Sequence, residues 1–147
     1  MKITFAAILA AALLSISSPV IAHHGDAGRY DESPFVVTGT VVEIRLTNPH
    51  SIVVFEAPDP KADGKLARWQ AEMGSGQQLR QLGWNKDNPK IGDKITLTGR
   101  RVKSGAPYMN MTEKAQILLT DSGKEIYKTP NFGEPDPPPA AAPAAKP

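Results

Sequence analysis

Three histidines, His23, His24 and His50, are the residues of this chain whose types and positions could bind a metal. If a leader is removed after Ala22, His23 becomes the first residue of the mature chain. A free terminal amine and the Nδ1 atom of the same histidine close a six-membered chelate on a metal ion. His50 would supply a third nitrogen, with His24 as the spare candidate. Such donors suit Cu(II), Ni(II) or Zn(II), and the usual affinity order favours copper.

The same histidines also have ordinary interpretations. Residues near a chain terminus are often poorly ordered, so the His23-His24 pair can be solvated polar sequence. His50 follows Asn48-Pro49 and can be a turn residue whose ring caps a backbone carbonyl. The sequence thus predicts an exported, non-catalytic protein with a hypothesised copper site. The alternative is a structural or interaction module of the cell envelope that docks an envelope protein, without metal.

Residues 1–22 are typical of a secretory signal peptide. Lys2 gives a positive start, an apolar run follows, and Val20 and Ala22 occupy the positions where signal peptidase accepts small side chains. A membrane anchor is the alternative, but it needs about 20 mostly apolar residues, more than this run supplies. We therefore expect a periplasmic or secreted chain that begins at His23. It would touch the membrane only through the uncleaved leader.

Composition divides the rest of the chain into three parts: an N-terminal segment (23–33), a folding core (34–128) and a tail (129–147). The tail is rich in proline and alanine and has almost nothing to bury. We predict that it is a disordered spacer with polyproline II character, with a proline-rich ligand for a partner as the alternative. The core is long enough for one small barrel or sandwich and little more.

The core has the alternation of β-strands. In the first strand, even positions from Val36 to Leu46 are apolar or threonine, so we expect the even face to be buried, with Gly39 at a bulge or bend. In the third, Ala67, Trp69, Ala71 and Met73 should face inward. Further strands are predicted at residues 51–57, 95–102, 108–112, 115–120 and 125–127.

One short helix interrupts the strands. Ser75 and Gln78 match a capping box, and we expect Leu79, Leu82 and Trp84 to pack on the sheet. Three strands, a short helix and two or three more strands is the element order of the oligonucleotide/oligosaccharide-binding (OB) barrel. The predicted fold is therefore mainly β, a small OB-like barrel of five to six strands with one short helix. A small β-sandwich is the competing architecture.

Several function classes are disfavoured. The chain has no cysteine, which excludes disulfides, thiolate metal sites and a cysteine nucleophile. A net charge of +2 and 6% aromatic residues do not indicate nucleic-acid binding. No carboxylate pair, nucleophile elbow or phosphate loop indicates an enzyme. An oxidative copper enzyme is a weaker option, because it would need an open coordination position.

Two further groups of side chains have competing interpretations. Met109 and Met111 share a strand face, and Met73 ends another strand. Thioether sulfurs bind Cu(I), so these residues could belong to a copper carrier. Core packing is the favoured interpretation. Four basic residues could form a patch, although nearby acidic residues favour a solvated face. They are Arg100, Arg101, Lys103 and Lys114.

Together these features resemble a family of small exported bacterial proteins of unknown function. The resemblance rests on the leader, His23-His24, Tyr30-Asp31, Gly39-Thr40-Val41 and Thr47-Asn48-Pro49-His50. Its later features are Trp69 with Glu72, Leu79 with Gly83-Trp84, and Gly92-Asp93 before a strand. The resemblance implies export and a small β-barrel but no substrate, and the proline- and alanine-rich tail departs from the family pattern.

Overall fold

Seven strands, one α-helix and one turn of 3₁₀ helix make up the part of the chain that the computed structural model describes, residues 28–135. The strands are β1 (Phe35–Arg45), β2 (Ser51–Asp59), β3 (Lys65–Met73), β4 (Lys94–Arg101), β5 (Tyr108–Asn110), β6 (Gln116–Leu119) and β7 (Glu125–Lys128). The helix α1 spans Gly76–Gln81, and the 3₁₀ turn spans Pro60–Ala62. Neither of these helical segments has the length and apolar character needed to cross a membrane.

The first five strands close into a barrel. They follow the order β1-β2-β3-β5-β4, and β4 pairs back onto β1. The β3–β5 pairing is parallel, and the other pairings are antiparallel. Strand β6 adds to the edge of β4, and β7 adds to β6. The prediction of a mainly β fold with a small barrel and one short helix is confirmed, and the sandwich alternative is wrong.

The expected burial of the even face of β1 is wrong for the first half of the strand. Val37 and Val41 are buried, whereas Val36 is 59% exposed. A β-bulge shifts the register between Val41 and Glu43. An extra residue at a bulge moves the following side chains to the opposite face of the strand. For this reason Ile44, an even position, packs against the core beyond the bulge.

Gly39 lies ahead of that bulge, at a point where β1 and β2 approach too closely for a side chain. A Cβ atom built at Gly39 would lie 2.5 Å from the Glu56 carbonyl oxygen and 2.7 Å from Cδ2 of Phe55. The first of these atoms belongs to the backbone of β2 in the middle of a sheet. Relieving the clash would therefore require one of the two strands to move. Close approach explains the glycine better than the bulge predicted there.

We expect Gly39→Ala to lower the free energy of unfolding by about 1–3 kcal/mol, the usual cost of overpacking. Urea denaturation of the two chains measures this difference. Gly74→Ala is the matched control, because its Cβ would meet the side chain of Gln78 rather than strand backbone and should cost less. Equal destabilisation by the two substitutions would contradict the close-approach explanation.

Helix α1 has the predicted capping box at its start, but its packing differs from the prediction. Leu79 and Trp84 are buried, and Nε1 of Trp84 donates to the Ile126 carbonyl at 2.7 Å. Leu82 is 58% exposed, so the expectation that it packs on the sheet is wrong. The helix ends before Leu82, and Gly83 turns the chain at a φ of 89°. That turn brings Trp84 to the core and leaves Leu82 at the surface.

The barrel core is centred on Trp69. Its ring stacks with Phe35 at 5.4 Å and with Phe55 at 6.1 Å between centroids, and its Nε1 donates to the Ala57 carbonyl at 3.3 Å. The Arg101 guanidinium lies 4.7 Å from the centroid of the Trp69 ring. Aromatic stacking and the cation–π contact add to the burial of a large apolar surface.

Three methionines on or next to the strands belong to the same core. Met73, Met109 and Met111 are fully buried. Met111 also fills the space above Gly99, where a Cβ would lie 2.5 Å from its sulfur. The interpretation of these residues as core packing is therefore confirmed.

Arg101 corrects the prediction of a solvated basic face. Its side chain is 4% exposed, and its Nη2 lies 2.8 Å from Oδ1 of Asp59, which is also buried. The same guanidinium donates to the carbonyls of Gly105 and Ala106. Arg101 therefore joins the tip of the β2–β3 hairpin to the β4–β5 loop.

The pKa of Asp59 lies below its ordinary value. The backbone N–H of Lys61 contributes most to this, burial acts in the opposite direction, and the Arg101 guanidinium lowers the pKa further. A depressed carboxyl pKa stabilises the folded state above the unfolded pKa of about 3.9, and the effect is lost as pH falls through the folded pKa.

We expect Asp59→Asn to be less stable than the original chain at pH 7, because the amide leaves Arg101 without its ionic partner. The difference in thermal unfolding midpoint should shrink as the pH falls below about 4, where the original carboxyl group becomes protonated. Asparagine still accepts from Lys61, so the comparison isolates the charge. A difference that stays constant between pH 7 and pH 3 would contradict this account.

Candidate metal centre

The connection between β1 and β2 fixes the position of His50. Oγ1 of Thr47 donates to the His50 carbonyl at 2.7 Å, and Oγ of Ser51 donates to the Thr47 carbonyl at 3.2 Å. The backbone N–H of Gly76, at the start of α1, donates to the same Thr47 carbonyl at 2.7 Å. The backbone of His50 is therefore held at the start of β2, while its side chain is 54% exposed.

Glu72 is the residue whose side chain meets the His50 imidazole. Oε1 of Glu72 lies 3.3 Å from Nδ1 of His50. The pairing of β2 with β3 explains the contact, because Ser51 lies opposite Met73 and Ile52 opposite Glu72. A carboxylate at Nδ1 favours the tautomer that carries its proton there, which leaves the lone pair of Nε2 as a metal donor.

Tyr108 holds the other side of the Glu72 carboxylate. Strands β3 and β5 run parallel with Gln70 opposite Tyr108, and the Tyr108 hydroxyl donates to Oε2 of Glu72. Burial, followed by this hydrogen bond and the negative charge of Glu72, raises the pKa of Tyr108. The phenol therefore stays protonated and remains a donor. These three side chains form the His50–Glu72–Tyr108 cluster.

The first described residues line a pocket together with one member of this cluster. Gly28 and Arg29 line one pocket together with Tyr108 and Lys103. The backbone N–H of Lys103 donates to the Arg29 carbonyl at 2.9 Å, which fixes the start of the described chain against the β4–β5 loop. The charge of Arg29 also acts on Tyr108, in the direction that lowers its pKa. Gly28, the first described residue, therefore lies at the same pocket as Tyr108.

The predicted site residues divide into two groups. His50 lies within the described residues, where its side chain meets a carboxylate rather than a backbone carbonyl. His23 and His24 lie outside the described residues. Within residues 28–135, no group of three or more histidine, aspartate or glutamate side chains is arranged to hold a metal ion. His50 and Glu72 alone therefore do not make a complete site in this part of the chain.

Glu72 and Tyr108 are members of the cluster that the sequence analysis did not identify as a site. Glu72 lies one residue before the end of the alternating strand that contains Trp69, and its position opposite Ile52 follows from pairing the two strands through their polar turn. That register alone would have brought Glu72 near His50. No sequence pattern identifies Tyr108 as a neighbour of Glu72, because their contact depends on the parallel pairing of β3 with β5.

A comparison with protein-family models gives one finding. A model described as a family of unknown function (DUF6152) matches residues 10–109. This chain belongs to DUF6152. The resemblance to an uncharacterised family is thus confirmed at that level, while export and the histidine motifs stay predictions.

The DUF6152 match extends over β1 to β4 and into β5, so it contains His50, Glu72 and Tyr108. It also contains His23 and His24. Strands β6 and β7 and the proline-rich tail follow the matched range. No curated protein matches this DUF6152 chain.

Proposed function

We propose that this DUF6152 protein is exported, loses its leader after Ala22, and binds a transition metal without catalysing a reaction. Copper is the metal that the donor chemistry favours. The ligands are the terminal amine and Nδ1 of His23 and the Nε2 atom of His50, with His24 as the spare donor. Glu72 orients His50 and Tyr108 orients Glu72, so neither needs to bind the metal directly.

The observation that carries this proposal is that Gly28 and Tyr108 line the same pocket. His23 precedes Gly28 by five residues, which span at most about 17 Å when fully extended. The cluster extends from Tyr108 through Glu72 to His50, by one hydrogen bond and one contact of 3.3 Å. The proposal requires this five-residue segment to carry the terminal chelate from the pocket that Tyr108 lines to the exposed imidazole of His50.

The Glu72 contact supports a metal ligand at His50 in a second way. Histidines that bind metals usually donate their other ring N–H to a carboxylate, a carbonyl or water, which fixes the tautomer and raises the basicity of the ligand atom. The Glu72 carboxylate lies at Nδ1 of His50, and the His50 side chain as a whole is half exposed. This arrangement leaves Nε2 available to a ligand from solvent or from the N-terminal segment.

Calorimetric titration of the chain that begins at His23 with Cu(II) and with Zn(II) tests the proposal. We expect one tight Cu(II) site per chain and a weaker Zn(II) site, following the usual affinity order. Absence of stoichiometric binding of either ion would contradict the proposal. An envelope interaction module with incidental histidines would then be the better interpretation.

Glu72→Gln tests the orienting role of the carboxylate. We expect the substitution to weaken Cu(II) binding by about 10–100-fold, the usual effect of removing an outer partner of a ligating histidine. Glutamine keeps the size of the side chain and an acceptor for Tyr108 but removes the negative charge at Nδ1. Glu56→Gln, an exposed change on β2, is the matched control and should leave the affinity unchanged. Equal affinities for the two variants would show that Glu72 has no part in the site.

A further inference from the structure

A groove with an apolar wall lies between helix α1 and strand β7. It has a volume of about 440 Å³, within the range of about 300–1,000 Å³ typical of ligand sites. We call it the Leu82–Tyr127 groove. Its walls include Gln78, Gln81 and Leu82 on the helix side and Tyr127, Thr129 and Pro130 on the strand side.

The apolar side chains of this groove are held in place. Leu82 is 58% exposed because the turn at Gly83 directs the following residue, and not Leu82, into the core. The Tyr127 hydroxyl donates to the Met111 carbonyl at 2.8 Å, and its ring packs edge-on against Trp84 at 6.4 Å. The groove therefore offers a fixed aromatic ring beside an exposed leucine.

A matching ligand is present in the same chain. Residues 136–147 contain prolines and alanines almost exclusively, with one aspartate and one lysine. Such a segment favours polyproline II, which has no internal hydrogen bonds and loses little entropy on binding. Aromatic-lined grooves recognise this conformation by packing proline rings against aromatic side chains. The carboxamide of Gln81, at the groove wall, is a donor suited to the backbone carbonyls that a polyproline II ligand leaves unpaired.

The length of the chain permits binding within one copy. Pro135, the last described residue, follows Pro130 of the groove wall by five residues and lines a separate pocket with Pro34 and Thr98. The twelve residues beyond it span about 37 Å as polyproline II. The start of the tail is anchored, because the backbone N–H of Thr129 donates to the Ala115 carbonyl at 2.9 Å. Such a short tether gives an effective concentration on the order of millimolar, so a weak contact suffices.

We propose that residues 136–147 dock as a polyproline II segment in the Leu82–Tyr127 groove of the same copy. The tail then covers the exposed leucine and is an internal ligand of the barrel.

Paramagnetic relaxation enhancement in the full chain that begins at His23 tests this proposal. The chain has no cysteine, so Ala142→Cys carries a nitroxide spin label at one site only. We expect selective broadening of the amide resonances of Gln81, Leu82 and Tyr127. Leu82→Asp should abolish the broadening without unfolding the barrel, because the side chain is exposed. Ile91→Asp, at a residue that is 68% exposed outside the groove, is the matched control and should leave it unchanged.

A mixed sample distinguishes the two sources of the tail. In it, isotope-labelled chains without the nitroxide are combined with unlabelled chains that carry it. Broadening of groove resonances in this mixture would assign the docked tail to a second copy and overturn the proposal. Broadening that is no stronger at the groove than around Ile91, or that survives Leu82→Asp, would also overturn it and leave the tail as a spacer.

Discussion

The His50→Ala chain, starting at His23, is expected to bind Cu(II) about 100-fold more weakly than the original chain, or roughly 2.7 kcal/mol of binding free energy. The substitution removes a ligand outright, so its effect should equal or exceed that of Glu72→Gln, which removes only the partner of that ligand. Calorimetric titration, with a competing chelator where binding is tight, measures the ratio of affinities.

The His50→Ala substitution should leave the fold intact. The His50 side chain is half exposed, and the hydrogen bond from Thr47 is made to its backbone carbonyl. We therefore expect the unfolding free energy without metal to change by less than about 0.5–1 kcal/mol. A chain that folds normally and binds Cu(II) with unchanged affinity would remove His50 from the site.

Trp69→Ala is expected to lower the free energy of unfolding by about 3–5 kcal/mol, the usual loss for a large buried aromatic side chain. The substitution removes the stack with Phe35 and Phe55, the hydrogen bond to Ala57 and the ring beneath Arg101. Because small domains are typically stable by only about 5–15 kcal/mol, this loss could leave much of the chain unfolded at physiological temperature. Urea denaturation followed by circular dichroism measures the change.

Trp69→Phe is the matched control. It keeps an aromatic ring between Phe35 and Phe55 but loses the indole N–H and part of the volume, so it should cost less than alanine. In this variant the Ala57 carbonyl would lose the hydrogen bond that the indole N–H donates. A cost below about 1 kcal/mol for Trp69→Ala would contradict the central position of this ring in the core.

The elements that depend on local patterns could be predicted from the sequence. Alternation around Trp69 predicts β3, and the Ser75 to Gln78 spacing predicts the start of α1, because both depend on residues close together in the chain. The order of strands and helix then indicates the OB-like barrel. The structure confirms each of these features.

The errors lie where one strand or turn depends on another. The bulge after Val41 is one extra residue in a strand that is apolar on both faces, and alternation alone does not position it. The exposure of Leu82 follows from a turn at Gly83 that lets Trp84 compete for the same space. Arg101 becomes buried because Asp59 and Trp69 approach it from a distant hairpin.

The candidate site was only partly predictable for the same reason. His50 stands out by residue type, since the chain has only three histidines. Its neighbour Glu72 is one of many carboxylates, and only the β2–β3 register selects it. Tyr108 is 36 positions from Glu72 and meets it through a parallel pairing that no turn between them predicts.

The most direct test of the account is the effect of acetylating the free amine of His23 on Cu(II) affinity. Acetylation removes this amine as a donor and destroys the six-membered chelate, while every residue of the chain stays the same. We predict that the acetylated chain binds Cu(II) at least about tenfold more weakly than the chain with a free amine at His23, or roughly 1.4 kcal/mol. Equal affinity of the two chains would contradict the claim that the processed terminus is a ligand.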